Sequence, residues 1–410
     1  MKKKRVVVTG FSAITPIGDS WPTFRAALKA HKSAVRYVSA WDEIRDLGTK
    51  LAAPVDNFEL PKHYTRKKTR TMGRVSKLAV RTSELALEQA GLLNHAALID
   101  GRTGVSCGSC TGSTDAVQDF TNFISGDGIS KINATTYIRM MGHTAPANIA
   151  MFFKLQGRVI ATSTACTSGS QGIGYAFEAI QSGKQSVMIA GGAEELCPSQ
   201  AAIFDTLYAT SLRNETPQET PRPFDAARDG LVIGEGACHL ILEDLEFAQN
   251  RGATILAELV GFATNCDGNH ATQPQAETMA KVMLMAVEDA NIHIEEIGYV
   301  NAHGTATSIG DTAESLATES VFGSNQAISS LKGNIGHTLG ACGAIEAWAS
   351  INMMNENWFA PTLHLENIDS NCGNLRYIVG NGESINTNYV MSNNFAFGGI
   401  NTSLIFRKWA

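Results

Sequence analysis

The chain has 410 residues, 44% of them hydrophobic and 18% charged, and a formal net charge of −6 at pH 7. That charge excludes a globally basic nucleic-acid binder, so any anionic partner must meet a local patch. The length is large for one hydrophobic core and points to two lobes of similar size. No apolar run approaches the ~18 residues of a membrane span. The start Lys2-Lys3-Lys4-Arg5 resembles the basic end of a signal peptide, but only Val6-Val7-Val8 follows before Thr9-Gly10. That is too short for an export signal, and a cytoplasmic protein is expected.

In chain order, residues 5–9 read as a strand and residues 10–15 as the turn after it. The turn lacks the GxGxxG glycines of a dinucleotide site. Pro22, Pro54 and Pro61 punctuate short elements before residue 65. Over residues 71–90 the pattern turns helical: Val75, Leu78, Ala79, Leu85 and Ala86 share one face, and Gly91 ends it. Arg66, Arg70, Arg74, Lys77 and Arg81 recur every three or four residues on another face. They form either a solvated basic face or a docking patch for an acidic partner. Residues 104–107 are a strand, and Cys107-Gly108-Ser109-Cys110 is the only CxxC among eight cysteines. A lone CxxC is a weak metal or redox signal and reads more readily as a small-residue core strand. Residues 111–158 form a helix-rich insertion.

A strand at 159–161, a helix at 172–182 and a strand at 186–192 make a right-handed crossover unit. Residues 216–222 are a surface loop, and a strand at 232–242 is broken by Gly234-Glu235-Gly236. A second cycle starts at residue 253. It places strands at 255–261, 297–301 and 327–330, helices at 277–290, 311–320 and 343–354, and a closing strand pair at 388–393 and 400–406. Both halves alternate β and α, which predicts a layered α/β fold of two related halves, 1–252 and 253–410.

Cys166 lies where a strand turns into a helix, flanked by the small residues Ala165, Thr167, Ser168 and Gly169. The positive end of a helix favours a thiolate, which is the nucleophilic form. An inert buried thiol is the competing reading. Three glycine-rich turns of the second half each follow a strand: Asn301-Ala302-His303-Gly304-Thr305-Ala306-Thr307, Lys332-Gly333-Asn334-Ile335-Gly336-His337, and Phe395-Ala396-Phe397-Gly398-Gly399. Loops at strand C-terminal ends are where α/β sheets place their sites. Sulfur forms a thioester, two imidazole N–H groups can bind an enolate oxygen, and backbone N–H groups near Phe397 offer a second oxyanion site. A cysteine protease needs one Cys–His pair and an orienting Asn or Asp, and does not require the second histidine turn.

Together, Ser163-Thr164-Ala165-Cys166, the two histidine turns and Phe397-Gly398-Gly399 resemble the elongating β-ketoacyl-acyl-carrier-protein synthases of the thiolase superfamily. Pro221-Arg222-Pro223-Phe224-Asp225, Arg228-Asp229-Gly230 and Gly234-Glu235-Gly236 are also similar to that family. The resemblance implies five layers (α-β-α-β-α), a dimer, and substrates carried on the phosphopantetheine of acyl carrier protein, with no other cofactor and no metal. It implies that Cys166 takes the acyl group and that His303 and His337 support decarboxylation of malonyl-carrier protein. Lys332 and Glu346 fall at electrostatic and structural positions, Thr305 and Thr307 at phosphopantetheine-binding ones. Phe397 falls at the gate and, with Cys166, at the oxyanion site. Arg66, Lys67, Arg70, Arg74 and Arg213 fall on the carrier-docking side.

The second histidine argues against the chain-initiating branch, and Cys166 against a non-catalytic chain-length factor, the alternative reading. A coenzyme A thiolase would need a second cysteine within residues 391–403, which hold none. Ser308 stands where many relatives have Pro, Ala396 where they have Gly, and Ile400 where they have Thr. Ser308 and Ala396 are expected to stiffen or reshape the gate loop, because Ala takes a positive φ less cheaply than Gly. The Lys332–His337 turn is closer to polyketide-type ketosynthases, so polyketide or aryl polyene synthesis stands beside fatty-acid elongation. A homodimer and a heterodimer with a chain-length factor are both open.

Overall fold

The computed structural model describes residues 3–410. Ten strands frame it. The first half supplies β1 (Val6–Ile14), β2 (Thr103–Gly108), β3 (Val159–Thr162), β4 (Val187–Glu194) and β5 (Gly236–Asp244). The second half supplies β6 (Ala257–Cys266), β7 (Ile297–Asn301), β8 (Ala327–Ser329), β9 (Tyr389–Ala396) and β10 (Ile400–Lys408). From the middle of the sheet outward, one half runs β1-β5-β4-β2-β3 and the other β6-β10-β9-β7-β8. The first two pairings in each half are antiparallel and the last two parallel. The same topology therefore occurs twice. The halves meet in a short antiparallel contact between β1 and β6, Val6 to Val8 opposite Leu259 to Ala257.

Period-2 alternation along the strands sorts the core into layers. Leu240 and Leu242 of β5 and Leu404 and Phe406 of β10 point inward, onto α2 (Ser168–Gln181) and α5 (Cys342–Glu356), through Ile173, Phe177, Ile345 and Trp348. Ile241 of β5 points the other way, with Val105 and Ile189, onto Val75, Leu78 and Leu87 of α1 (Arg74–Gln89). Val300, Met391 and Ile405 face Met279, Val282 and Met283 of α3 (Ala276–Ala290) and Ala317 and Val321 of α4 (Ser308–Phe322). These are five layers, helix, sheet, helix, sheet, helix, as the resemblance implies. Each fully buried Leu, Ile or Phe contributes roughly 1.5–3 kcal/mol of transfer free energy.

Two expectations change. Residues 10–15 are not a turn, because β1 continues through Gly10 to Ile14 after a register shift between Val8 and Gly10. Glycine there serves close packing: a Cβ at Gly10 would lie 2.4 Å from the Ala86 carbonyl of α1. The helix after Cys166 starts at Ser168, directly after a short 3-10 turn, Ala165–Thr167. The insertion folds as helices Thr114–Ile124, Ala134–Met140 and Thr144–Phe153.

Cys107 is a core residue of β2. Its sulfur lies 3.1 Å from His239 Nε2, whose Nδ1 meets the Thr82 hydroxyl at 2.7 Å. All three side chains are fully buried. Lys2 of the basic start lies outside the described residues, while Lys3 pairs with Asp289 and Lys4 with Asp244. Among the described residues no helix is long and apolar enough to cross a membrane.

Candidate active site

The repeated topology brings four turns together. Cys166 follows β3 and precedes α2, and His337 follows β8 and precedes α5, so the two occupy equivalent places in the two halves. In each half a 3-10 turn, Ala165–Thr167 or Leu339–Ala341, leads into the central helix. His303 follows β7 and Phe397 follows β9.

Ala165 holds the left-handed backbone region at φ +51°, which costs an L-residue about 1–2 kcal/mol. Side chains of the turn hold it there. Ser168 Oγ donates to the Ala165 carbonyl at 2.6 Å and accepts the Thr164 N–H at 2.9 Å, and Thr167 Oγ1 donates to the Thr164 carbonyl at 2.8 Å. This over-determined turn aims Cys166 at the histidines. Its Sγ is 3.0 Å from His337 Nε2. Burial pushes the thiol up to about 11, against the pull of the Phe397 N–H, the Lys332 charge and the Cys166 N–H. The expected thiolate bias at the helix start is thus outweighed by desolvation, and the resting sulfur is a thiol.

Both imidazoles are fixed from behind. His337 Nδ1 accepts the Leu339 N–H at 3.3 Å, and His303 Nδ1 faces Lys332 Nζ and Asn394 Nδ2, each at 3.4 Å. With donors behind each Nδ1, the neutral rings carry their proton on Nε2. Burial, with the Lys332 charge, holds both well below the ordinary histidine value, and for His303 the neighbouring His337 ring acts in the same direction. The rings sit 5.1 Å apart at 84°.

Cys166, His303 and His337 offer ligand atoms within 4.8 Å of one another, as do His303, Cys342 and Glu346. A metal-bound imidazole normally donates its other N–H to an acceptor. Here donors stand behind both Nδ1 atoms, so the surroundings oppose metal ligation through Nε2.

Lys332 and Glu346 are fully buried and form an ion pair. Lys332 Nζ also donates to the His303 carbonyl, and the second Glu346 oxygen accepts Asn394 Nδ2 at 2.6 Å. The pair therefore fixes His303 through both its backbone and its ring. Two acids of α4 hold the rest of that turn. Glu314 accepts the His303 and Gly304 N–H groups, each at 2.7 Å, and Asp311 accepts those of Thr305 and Ala306 at 2.9 and 3.1 Å. Burial pushes Glu314 up to about 8 and Asp311 up to about 6. Arg228, in the Arg228-Asp229-Gly230 motif, bonds Asp369 at 2.6 Å and the Ser308 carbonyl at 2.9 Å.

Glu314, Asp311, Asn394 and Arg228 are site residues to which sequence reading assigned no role. The i,i+3 spacing of Asp311 and Glu314 at the start of a helix after the histidine turn was the available signal.

A cleft of about 390 Å³ leads to Cys166, His303 and His337. Thr305 and Thr307 line it, with hydroxyls 3.0 Å apart. Phe397, partly exposed, stands at its mouth against Phe204, edge-on at 6.3 Å. Ala396 corrects an expectation. It pairs with Ile400 as an ordinary strand residue, and the positive φ values of the turn fall on Gly398 and Gly399. Ala at 396 therefore carries no strain.

The basic set divides. Arg66, Lys67 and Arg70 are exposed and, among the described residues, pair with no carboxylate within 4 Å. Arg74 is also exposed, but its guanidinium pairs with buried Glu235 and bonds the Val55 carbonyl at 2.8 Å. Arg213 is likewise engaged, by Glu219, Asp229 and the Ala227 carbonyl.

The family description β-ketoacyl synthase, N-terminal domain, matches residues 3–248, and β-ketoacyl synthase, C-terminal domain, matches residues 256–366. The chain is 35% identical to the 3-oxoacyl-acyl-carrier-protein synthase 2 of Synechocystis, over 100% of this chain and 99% of that protein. It is 55% identical to a β-ketoacyl synthase from Burkholderia phymatum STM815, with a TM-score of 0.98 and coverage of 99% and 100% of the two chains. The ishigamide ketosynthase/chain length factor is similar at 28% identity and a TM-score of 0.90, over 100% of both chains.

Proposed function

The chain belongs to the β-ketoacyl synthase family, and on that premise we propose that it condenses malonyl-acyl-carrier protein with an acyl group held on Cys166. An acyl thioester on a carrier's phosphopantetheine passes its acyl group to Sγ, and the carrier leaves as its thiol. Malonyl-carrier protein then loses carbon dioxide. The electron pair of the broken C–C bond becomes the enolate of an acetyl thioester, and the Nε2–H groups of His303 and His337 stabilise its oxygen. The enolate carbon attacks the acyl carbonyl, whose oxyanion meets the N–H groups of Cys166 and Phe397. Collapse expels the sulfur and gives a β-ketoacyl-carrier protein two carbons longer.

One observation carries this reading. Two neutral imidazoles, each with a donor behind Nδ1, flank one thiol in a single cleft. Such rings donate to a developing oxyanion, as decarboxylation requires. Lys332 and Glu346 keep His303 in that state. The Thr305 and Thr307 hydroxyls suit the amides of phosphopantetheine, and no further cofactor is needed. Arg66, Lys67 and Arg70 are the cations left free for an acidic carrier protein. In this reading the nucleophile half is 1–252 and the histidine half 253–410.

A dimer fits the free edge of the sheet, where β3 is half exposed at Val159 and the insertion exposes Met151 and Tyr137. An unpaired edge beside exposed apolar side chains is normally covered. A second copy is the simplest cover, and a chain-length factor the alternative. The site suits fatty-acid and polyketide or polyene chains alike, in the cytoplasm.

The test is mass spectrometry of the Cys166 peptide after incubation with acyl-carrier proteins of varied length and unsaturation. Acyl mass on Cys166 is expected, and an unmodified thiol beside an active carrier would overturn the assignment.

A further inference from the structure

Resting on that reading, we propose that Glu194 is a positioning residue for His337, bracing the Leu339-Gly340 backbone so that an N–H stays behind the ring. Glu194 ends β4, outside every motif that carries the chemistry, and its side chain is fully buried. Its Oε1 accepts the Ser109 hydroxyl at 3.1 Å and the Gln200 amide at 3.3 Å. Its Oε2 accepts the Cys110 N–H at 2.7 Å and the Gly340 N–H at 3.1 Å. These donors are all neutral, and a buried carboxylate held by neutral donors is costly to keep. Burial accordingly pushes the carboxyl above its ordinary range, against the pull of the Cys110 and Gly340 N–H groups.

The two 3-10 turns differ in what holds them. In the first, Thr167 and Ser168 bond the backbone of their own turn. Position for position, the second turn has Ala341 and Cys342 there, and neither carries a hydroxyl. Cys342 Sγ reaches the Cys166 carbonyl at 3.2 Å, and among the described residues Thr338 Oγ1 has no partner. Yet Leu339 sits in the left-handed region at φ +47°, which an L-residue keeps only where its surroundings impose it. Its N–H is the one that meets His337 Nδ1 at 3.3 Å, and the next N–H, that of Gly340, is the one Glu194 takes. Glu194 thus supplies from another strand the brace that Ser168 supplies within the first turn. The fit is close, since a Cβ at Gly340 would lie 2.7 Å from Glu194 Oε2.

The repeated topology points to the same role. Gly108 of β2 pairs with Gly192 of β4, and Asn301 of β7 pairs with Ser392 of β9. Counted onward from those pairs, Glu194 and Asn394 occupy the same place in the two halves. Asn394 stands directly behind His303 Nδ1. Glu194 stands one peptide unit removed behind His337 Nδ1.

The experiment measures malonyl-carrier decarboxylation and acyl loading of Cys166 across pH for wild type, Glu194→Met and Glu194→Gln. Met fills a similar volume without an acceptor. Its decarboxylation should fall about tenfold or more, and its acyl loading by less than about threefold. Gln keeps an oxygen for the Gly340 N–H and should rescue decarboxylation to within about threefold of wild type. A donor behind Nδ1 favours the neutral ring. Its loss should therefore move the acid limb of decarboxylation in Glu194→Met up by about half a pH unit or more relative to Glu194→Gln. Both variants lack the Glu194 charge, and Cys166, His303 and Lys332 face His337 in each, so the shift reports the donor. Lost packing would lower the rate and leave the limb in place. If Glu194→Met does not fold, Glu194→Asp, which reaches about 1.5 Å less far, should lower decarboxylation at least about threefold with loading nearly unchanged. Decarboxylation within about twofold of wild type, equal losses in both half-reactions, an unmoved limb, or no rescue by Gln would overturn the role of Glu194. A wild type that neither loads acyl nor decarboxylates malonyl-carrier protein would overturn the ketosynthase reading itself, and this role with it.

Discussion

Replacing Glu346 by Gln removes one charge from a fully buried pair whose role is to hold His303. Lys332 then keeps the His303 carbonyl, His303 Nδ1 and the Gln Oε1 as hydrogen-bond acceptors, none of them charged. Breaking a buried pair from one side costs about 3–5 kcal/mol. Part of this returns, because Asn394 Oδ1 has no partner. A flip of that amide lets it accept the new Gln N–H, which is worth about 1 kcal/mol. The expected loss is therefore about 3 kcal/mol at pH 7.

The sign with pH follows from Lys332. Burial lowers its pKa, but the charge and hydrogen bond of Glu346 outweigh burial and raise it above the ordinary value. In wild type the resulting stabilisation is present below the unfolded pKa near 10.4 and lost only above it. In the variant burial wins and the folded pKa falls below that of the unfolded chain. The cost is then full at low pH and shrinks as pH rises through the folded value. Urea denaturation at pH 7 and about pH 9.5 should show the gap narrowing at the higher pH. Adding Lys332→Met should recover at least about 1 kcal/mol relative to Glu346→Gln alone. A gap below about 1 kcal/mol at pH 7, or one that neither narrows with pH nor shrinks in the double variant, would refute the reasoning.

In His303→Ala and His337→Ala, malonyl decarboxylation should fall by about 100-fold or more, and acyl loading of Cys166 by less than about tenfold. Equal losses in both half-reactions, from folded enzyme, would contradict the assigned roles. The free enzyme's Cys166 should be alkylated by iodoacetamide at a rate rising about tenfold per pH unit from pH 7 to 9.5, since burial pushes the thiol up to about 11; a plateau below pH 8 would show a resting thiolate instead. Ala396→Gly should destabilise by about 0.5–1 kcal/mol, the ordinary cost of glycine in a strand, and a gain in stability would reveal strain at the gate.

Much of this site was legible in the chain because its parts are local. Cys166, His303, His337 and Phe397 each sit in a turn that follows an apolar strand, and hydrophobic period and turn composition are written within about ten residues of each other. The ordering of β and α elements, repeated in the two halves, carried the layered fold in the same way. Misreadings came where meaning depends on a distant neighbour. Gly10 reads locally as a turn, yet its reason is the Ala86 carbonyl of a helix that packs on it. Arg74 is an exposed cation of the basic face as read, and what the chain does not show locally is its partner Glu235, 161 residues away.

The sequence by itself determined which residues could do the chemistry and that they stand at strand ends. Only the tertiary structure decided their surroundings: the burial that raises the Cys166 thiol, the donors behind each imidazole Nδ1, and Lys332 set against Glu346. Protonation and tautomer are sums of desolvation and charge over groups far apart in the chain, such as Cys166 and His337, 171 residues apart. Those sums exist only once the two halves close on each other.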